Sequence, residues 1–161
     1  LLRLLAEKSE NALLARCLYE EQEAVNAVYP QGLEVLYAEI HGSLTNGLMK
    51  AAKSYLESAY YDEALEVLAK ASPSEDLDRA VAFASAMQAF LARDYTRCLN
   101  YLSEWAAKCE GAEEKRRVEL ALAAAKYLGK AEADNLLPEE SRSQLSDLGD
   151  RLRLLRSSAI D

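Results

Sequence analysis

The sequence predicts an all-α protein, and three observations support this prediction. Half of the 161 residues are hydrophobic but only 7% are aromatic, and alanine and leucine dominate, which favours helix over strand. Three prolines and six glycines leave little room for a fold rich in loops or β-turns. Apolar residues also recur three or four positions apart along most of the chain, as on one face of a helix.

The first 44 residues are predicted to form divergent N-terminal helices. Whether Ser9 or Asn11 caps a second helix inside the first span stays open. Pro30 ends the next span, because the residue before a proline is pushed out of the α region. The predicted helices are Leu1–Glu20, Glu20–Tyr29 and Leu33–Leu44.

The chain is predicted to turn at Asn46-Gly47 between two helices, since both residues tolerate a positive φ. Thr45 or Asn46 would cap the helix that follows. Two helix pairs then occupy residues 45–110, and Ser74 or Asp76 begins the second pair. The predicted helices are Leu48–Ala59, Tyr61–Ala71, Asp76–Ala92 and Tyr95–Lys108.

The C-terminal part is predicted to hold a degenerate helix pair and a final helix. Glu113–Leu128 is rich in alanine, and Gly129 resembles the glycine that ends a helix. Lys130–Leu137 is a weaker, shorter segment. Pro138 begins the last helix, to about Arg156, which would cap the domain. Its apolar stripe consists of Leu145, Leu148, Leu152 and Leu155.

One pattern returns after 34 residues. Tyr61, Ala64, Leu65 and Leu68 are matched 34 positions later by Tyr95, Cys98, Leu99 and Leu102. This period is typical of stacked helix–turn–helix repeats. The chain resembles the tetratricopeptide repeat (TPR) family, whose pattern is W-x2-L-G-x2-Y, then A-x3-F, then P. In the first unit that pattern is matched by Leu48, Ala51, Ala52, Tyr55, Ala64, Leu68 and nearby Pro73.

The resemblance implies a right-handed superhelix of antiparallel helix pairs, a TPR-like α-α solenoid with a C-terminal capping helix. We expect a single domain over residues 1–161, made of the N-terminal helices (1–44), two repeats (45–110), the degenerate pair (111–137) and the capping helix (138–157). It also implies a scaffold or adaptor that binds a partner protein. A small dedicated chaperone that shields a secretion or assembly subunit is the alternative.

The residues offer no catalytic constellation, so we expect no enzyme, no cofactor and no metal site. His41 is the only histidine, which excludes histidine-based triads and histidine-rich metal sites; it is expected at the surface or as a cap. The glycines form no phosphate-binding loop. Cys17 and Cys98 are expected on apolar faces, and the odd number of cysteines favours reduced thiols and a cytoplasmic location.

The net charge of −8 disfavours nucleic acid and anionic membranes as partners. Lys115-Arg116-Arg117 directly follows two glutamates and is interpreted as a solvated helix face. No apolar run approaches the roughly 20 residues that span a bilayer. The chain begins at Leu1, so we expect a fragment of a longer protein. A homo-oligomer stays possible.

The partner-binding residues are predicted from the resemblance, which places the first helix of each pair along a concave groove. The apolar spacing of Phe83, Met87 and Phe90 fits an amphipathic helix of a partner. The alternative interpretation is that these side chains are core, covered by the leucine stripe of the last helix. The six predicted groove residues are Met49, Lys53, Leu56, Phe83, Met87 and Phe90.

Overall fold

The computed structural model describes residues 11–133 and 138–160, and in these ranges every regular element is a helix, which confirms the all-α prediction. The first ten residues of the predicted helix Leu1–Glu20 and the segment 134–137 lie outside the described ranges. We number the helices in chain order. They are α1 (Asn11–Glu20), α2 (Gln22–Val28), α3 (Gly32–His41), α4 (Leu44–Glu57), α5 (Tyr61–Leu68), α6 (Glu75–Leu91), α7 (Tyr95–Lys108), α8 (Ala112–Ala133) and α9 (Pro138–Ile160).

The chain divides into two compact units, residues 1–77 and 78–161, with the border inside α6. In the first unit α4 is the central helix, because α1, α3 and α5 all pack against it. Helix α2 packs on α3. Small residues make the close packing of α4 possible: Ala51 and Ala52 are buried, as is Ala64 on α5.

In the second unit α8 lies between α7 and α9 and packs against both. Its inner side carries buried residues three and four positions apart, namely Val118, Ala121, Ala125 and Leu128. Helix α9 contributes the predicted leucine stripe, of which Leu148, Leu152 and Leu155 are fully buried. None of the helices in residues 11–133 and 138–160 combines the length and the apolar composition that crossing a membrane requires.

The predicted turn at Asn46-Gly47 is wrong, because both residues lie in the first turn of α4. The chain turns earlier, at Gly42, whose φ of 90° ends α3 in the left-handed region. Ser43 then caps α4, since its hydroxyl accepts a hydrogen bond from the Asn46 amide at 3.1 Å. Gly47 has a different role: a Cβ at this position would lie 2.3 Å from Cγ of the buried Tyr37. It allows α3 and α4 to approach closely.

Gly129 does not end a helix, contrary to prediction. Helix α8 continues through it to Ala133, so residues 130–133 belong to α8 rather than to a separate segment. A glycine is tolerated within a long helix, at a cost of about 1 kcal/mol relative to alanine, when packing on both sides holds the helix. Here Leu128 and Ala131 are buried on either side of it.

The 34-residue period appears in the backbone as well as in the sequence. After α4, Ala59 takes a φ of 63°, and the Tyr60 amide donates to the Tyr55 carbonyl at 2.9 Å. After α6, Arg93 takes a φ of 59°, and the Asp94 amide donates to the Ala89 carbonyl at 2.9 Å. Each arrangement is a Schellman turn that closes a helix with a residue in the left-handed conformation. The two turns lie 34 residues apart.

Burial follows the same register in the helix after each turn. Ala64 and Leu68 of α5 are buried, and so are their counterparts Cys98 and Leu102 of α7. The aromatic residues that begin the two helices, Tyr61 and Tyr95, are both half-buried. Helix α7 occupies the predicted span without change. The two segments 44–68 and 75–108 are therefore helix–turn–helix units with matching local geometry.

Candidate functional site

Three of the six predicted groove residues are buried by the chain itself. Leu56, Phe83 and Met87 are each at most 6% exposed to solvent. A partner could contact these side chains only after their present neighbours had moved, and each buried Leu, Phe or Met is stabilised by about 1.5–3 kcal/mol. The burial therefore favours the core interpretation at these positions, and partner binding there remains a prediction without direct support.

The other three predicted groove residues are partly exposed. Phe90 packs against Tyr95, with ring centroids 6.3 Å apart, and its Cζ lies 3.4 Å from where a Cβ on Gly149 would be. The last helix therefore approaches Phe90, as the core interpretation expected. Met49 and Lys53 are half-buried on α4.

A cluster of charged and aromatic side chains attaches α1 to the rest of the first unit. The Arg16 guanidinium lies 4.5 Å from the centre of the Tyr55 ring and 5.0 Å from that of Tyr60. It donates to Glu20 Oε1 at 3.0 Å, and the Tyr55 hydroxyl donates to the same oxygen at 3.0 Å. These bonds to the carboxylate, opposed by partial desolvation, hold the pKa of Glu20 below its usual value.

Two further tyrosines extend this attachment. The Tyr37 hydroxyl on α3 donates to the Ala15 carbonyl, and burial is the main reason that the pKa of Tyr37 is raised well above its usual value. Lys70 donates to the Tyr19 hydroxyl at 2.6 Å. Polar contacts on several helices therefore fix α1 in one orientation, with its inner side toward α4. Its other side must face solvent.

The solvent side of α1 and α2 exposes apolar side chains. Leu13 is 52% exposed and Val28 is 85% exposed, and no residue of α2 is buried. The Glu21 amide donates to the Cys17 carbonyl and the Val25 amide to the Glu21 carbonyl, so helical hydrogen bonding spans the junction of the two helices. Exposed residues spaced three and four apart thus share one side. We call this surface, formed by Leu13, Cys17, Glu21, Ala24 and Val28, the α1–α2 face.

The surroundings of the α1–α2 face are strongly acidic. Between Cys17 and Met49 the sequence contains no lysine and no arginine. Arg16, which precedes this stretch, is paired with Glu20 at 3.0 Å, and Lys70 donates to the Tyr19 hydroxyl. The glutamates of this stretch are all exposed: Glu20, Glu21, Glu23, Glu34 and Glu39. A negative field therefore surrounds an apolar strip.

The sequence predicts a helix over Glu20–Tyr29, and Ala24, Val25 and Val28 fall on one side of it. The structure shows Ala24 and Val28 exposed, with Val25 half-buried. Cys17, expected on an apolar inner face, is exposed as well. The stretch without lysine or arginine was the signal in the sequence for this surface. It could be interpreted only once the structure showed which side of the helix faces water.

In the second unit, a partly buried carboxylate links three helices. Glu114 on α8 accepts a hydrogen bond from Trp105 Nε1 on α7 at 2.9 Å, and its other oxygen lies 3.8 Å from Arg79 on α6. Glu114 directly precedes the cluster that was interpreted as a solvated helix face, but its own side chain contacts Trp105 and Arg79. Burial, with the negative charge of Glu114 adding to it, raises the pKa of Cys109 to about 11. This thiol is therefore a poor nucleophile at neutral pH.

His41 and Cys98 also lie in unreactive environments. His41 packs edge-on against Tyr37 with ring centroids 5.6 Å apart, so it is more buried than predicted. Burial, together with the charge of Lys50, lowers the pKa of its imidazole. Burial raises the pKa of Cys98 to about 12. Within residues 11–133 and 138–160, no three histidine, cysteine, aspartate or glutamate side chains are grouped as a metal site would require.

Comparison of the chain with protein-family models, with curated proteins and with solved structures gives no match.

Proposed function

We propose that this chain is a TPR-like protein–protein interaction module and that the α1–α2 face is where a partner protein binds. The proposal rests on one observation: an exposed apolar strip lies in an acidic region that has no lysine or arginine between Cys17 and Met49. The matching Schellman turns 34 residues apart support the relation to helical repeats, whose common use is protein binding.

The chemistry of the face specifies the kind of partner. Val28 and Leu13 offer apolar contacts, and the surrounding glutamates attract positive charge. An amphipathic helix that carries lysine or arginine beside its apolar stripe satisfies both requirements. This proposal keeps the amphipathic helix expected from the sequence but moves it away from the groove residues, because Leu56, Phe83 and Met87 are buried. It assigns the chain no catalytic step, and an intracellular setting suits its free thiols.

The proposal is tested with two defined peptides of equal length. One is a fluorescein-labelled helical peptide of leucine and lysine with an apolar stripe, and the other replaces every lysine with glutamate. Fluorescence anisotropy should show binding of the lysine peptide only, and binding should weaken as salt is raised, because the exposed charges are screened within about 10 Å at 0.1 M salt.

Two variants locate the binding surface. Val28→Asn should weaken binding of the lysine peptide by about tenfold, since it replaces an apolar contact with a polar group and leaves the charge of the face unchanged. The matched control is Leu91→Asn, which alters another exposed apolar residue, on α6 of the second unit. Equal binding by wild type and Val28→Asn, or equal loss in both variants, contradicts the proposal.

A further inference from the structure

A second exposed strip lies on the outer side of α8. Residues on this side are spaced four, three, four and three apart, so they share one side of the helix. Leu120 is 42% exposed and Tyr127 is 47% exposed, while the buried residues of α8 lie on its other side. We call this strip, formed by Arg116, Leu120, Ala123, Tyr127 and Lys130, the α8 stripe.

The α8 stripe has the opposite charge to the α1–α2 face. It has a cation at each end, and all five of its residues are exposed. Exposed Glu119 and Lys126 border the same side of the helix and offset each other, so the charge along the stripe is positive. It is about 21 Å long, at 1.5 Å per residue over 14 residues. The α1–α2 face extends over at most about 22 Å from Leu13 to Val28 on the same basis. The two strips therefore have comparable length and opposite charge.

We propose that the α1–α2 face of one chain receives the α8 stripe of a second copy. The stripe is an amphipathic helix surface flanked by positive charge, which is the partner chemistry that the acidic face fits. Both strips are exposed in the single chain, so each is available to another molecule. Two copies of net charge −8 repel each other at long range, and contact between the oppositely charged strips reduces this repulsion locally.

Two other classes of partner fit the α8 stripe less well. Nucleic acid requires a larger set of phosphate-neutralising residues, and the net charge of the chain is −8. An anionic membrane would repel the acidic remainder of the protein in the same way. Because the two strips differ, the contact is heterologous: each chain binds one copy through its α8 stripe and another copy through its α1–α2 face.

This inference rests on the proposed function, because it names an occupant for the same α1–α2 face, but its experiment is separate. Sedimentation velocity of the protein alone, from roughly 1 μM to 1 mM, covers the range expected for a small interface. The weight-average mass of the wild type should rise with concentration. Arg116→Glu and Glu21→Lys should each raise the dissociation constant by about tenfold or more, since each places like charges together.

The double variant Arg116→Glu/Glu21→Lys exchanges the two charges and should restore association to within about threefold of wild type. Arg156→Glu is the matched control: it makes the same Arg→Glu change at an exposed position on α9, outside the α8 stripe. It should change association by less than about twofold. Circular dichroism of each variant checks that the helices are retained, as their exposure predicts.

Four results overturn the inference. The first is a wild type that stays monomeric over the whole concentration range. If the lysine peptide still binds in that case, only the self-association is refuted and the proposed function stands. The second is association that Arg116→Glu and Glu21→Lys leave unchanged. The third is a double variant as weak as the single ones. The fourth is co-sedimentation with phosphatidylserine vesicles that depends on Arg116, because it assigns the stripe to a membrane surface.

Discussion

Replacing Gly47 with alanine sets two effects of known sign against each other. A glycine inside a helix costs about 1 kcal/mol relative to alanine, so helix propensity alone predicts stabilisation. However, the new Cβ would lie 2.3 Å from Cγ and 2.4 Å from Cδ2 of Tyr37. These atoms form the base of a fully buried ring whose hydroxyl is bonded to the Ala15 carbonyl, so the ring cannot simply turn away.

The steric effect should dominate. Overpacking costs typically 1–3 kcal/mol, and the required shift of about 1 Å belongs to the upper part of that range. Subtracting the propensity gain leaves a net loss of about 2 kcal/mol in the free energy of unfolding. With a urea dependence near 2 kcal/mol per molar, the midpoint of unfolding, followed by circular dichroism, should fall by about 1 M.

Gly129→Ala is the matched control, because it makes the same substitution in another helix. Apart from its chain neighbours and the nearby backbone of its own helix, no atom lies within 4 Å of the position of its new Cβ, so only propensity acts. The unfolding midpoint should rise by about 0.5 M, from about 1 kcal/mol of stabilisation. A rise in both variants would refute the close approach of α3 and α4 at Gly47, and a fall in both would refute the continuous helix through Gly129.

Three other predictions concern the matching helix–turn–helix segments and the single histidine. Ala64→Leu should lower the free energy of unfolding by about 1–3 kcal/mol, since Ala64 is fully buried; an unchanged urea midpoint would show that α5 does not pack closely there. Ala59→Gly should raise it by about 0.5 kcal/mol by relieving a positive φ, whereas Ala69→Gly, at a φ of −62°, should lower it; the same sign for both would exclude the left-handed turn. The lowered pKa of His41 means that the folded state binds its proton less well than the unfolded state. The neutral imidazole therefore contributes stability that is complete above the usual pKa of 6.5. That contribution is lost as the pH falls through the lower pKa of His41 in the folded state. The free energy of unfolding in urea should therefore fall more between pH 7 and pH 5 in wild type than in His41→Gln. An equal fall in both proteins would contradict the burial of the imidazole.

The local features that follow from the sequence are those that depend on neighbours along the chain. Helix α7 has the bounds that its periodic apolar positions predicted, and the structure shows that Asp94 caps it. Pro30 ends the helical span before it, and Pro138 begins α9, as expected from the missing amide and the fixed φ of proline. The 34-residue period was also visible, since it consists of residue types at fixed spacing.

The errors occurred where the role of a residue depends on a distant neighbour. Asn46-Gly47 has the composition of a turn, but a glycine is required at position 47 because Tyr37 of another helix leaves no space for a Cβ. Gly129 has the composition of a helix end, but packing on either side carries α8 through it. A glycine can permit a positive φ at a turn or a close approach between two helices, and sequence alone does not distinguish these roles.

The sequence by itself determined that this protein is helical, where most of its helices lie and that two of its helix–turn–helix segments correspond. These properties arise from periodicity, caps and propensity, which act over a few residues. Only the tertiary structure decided which apolar sides are covered. It placed Phe83 and Met87 in the core and left Val28 and Leu120 exposed, although all four occupy apolar positions at helical spacing. Burial depends on which helices pack against one another, and that choice is made by contacts between residues far apart in the chain.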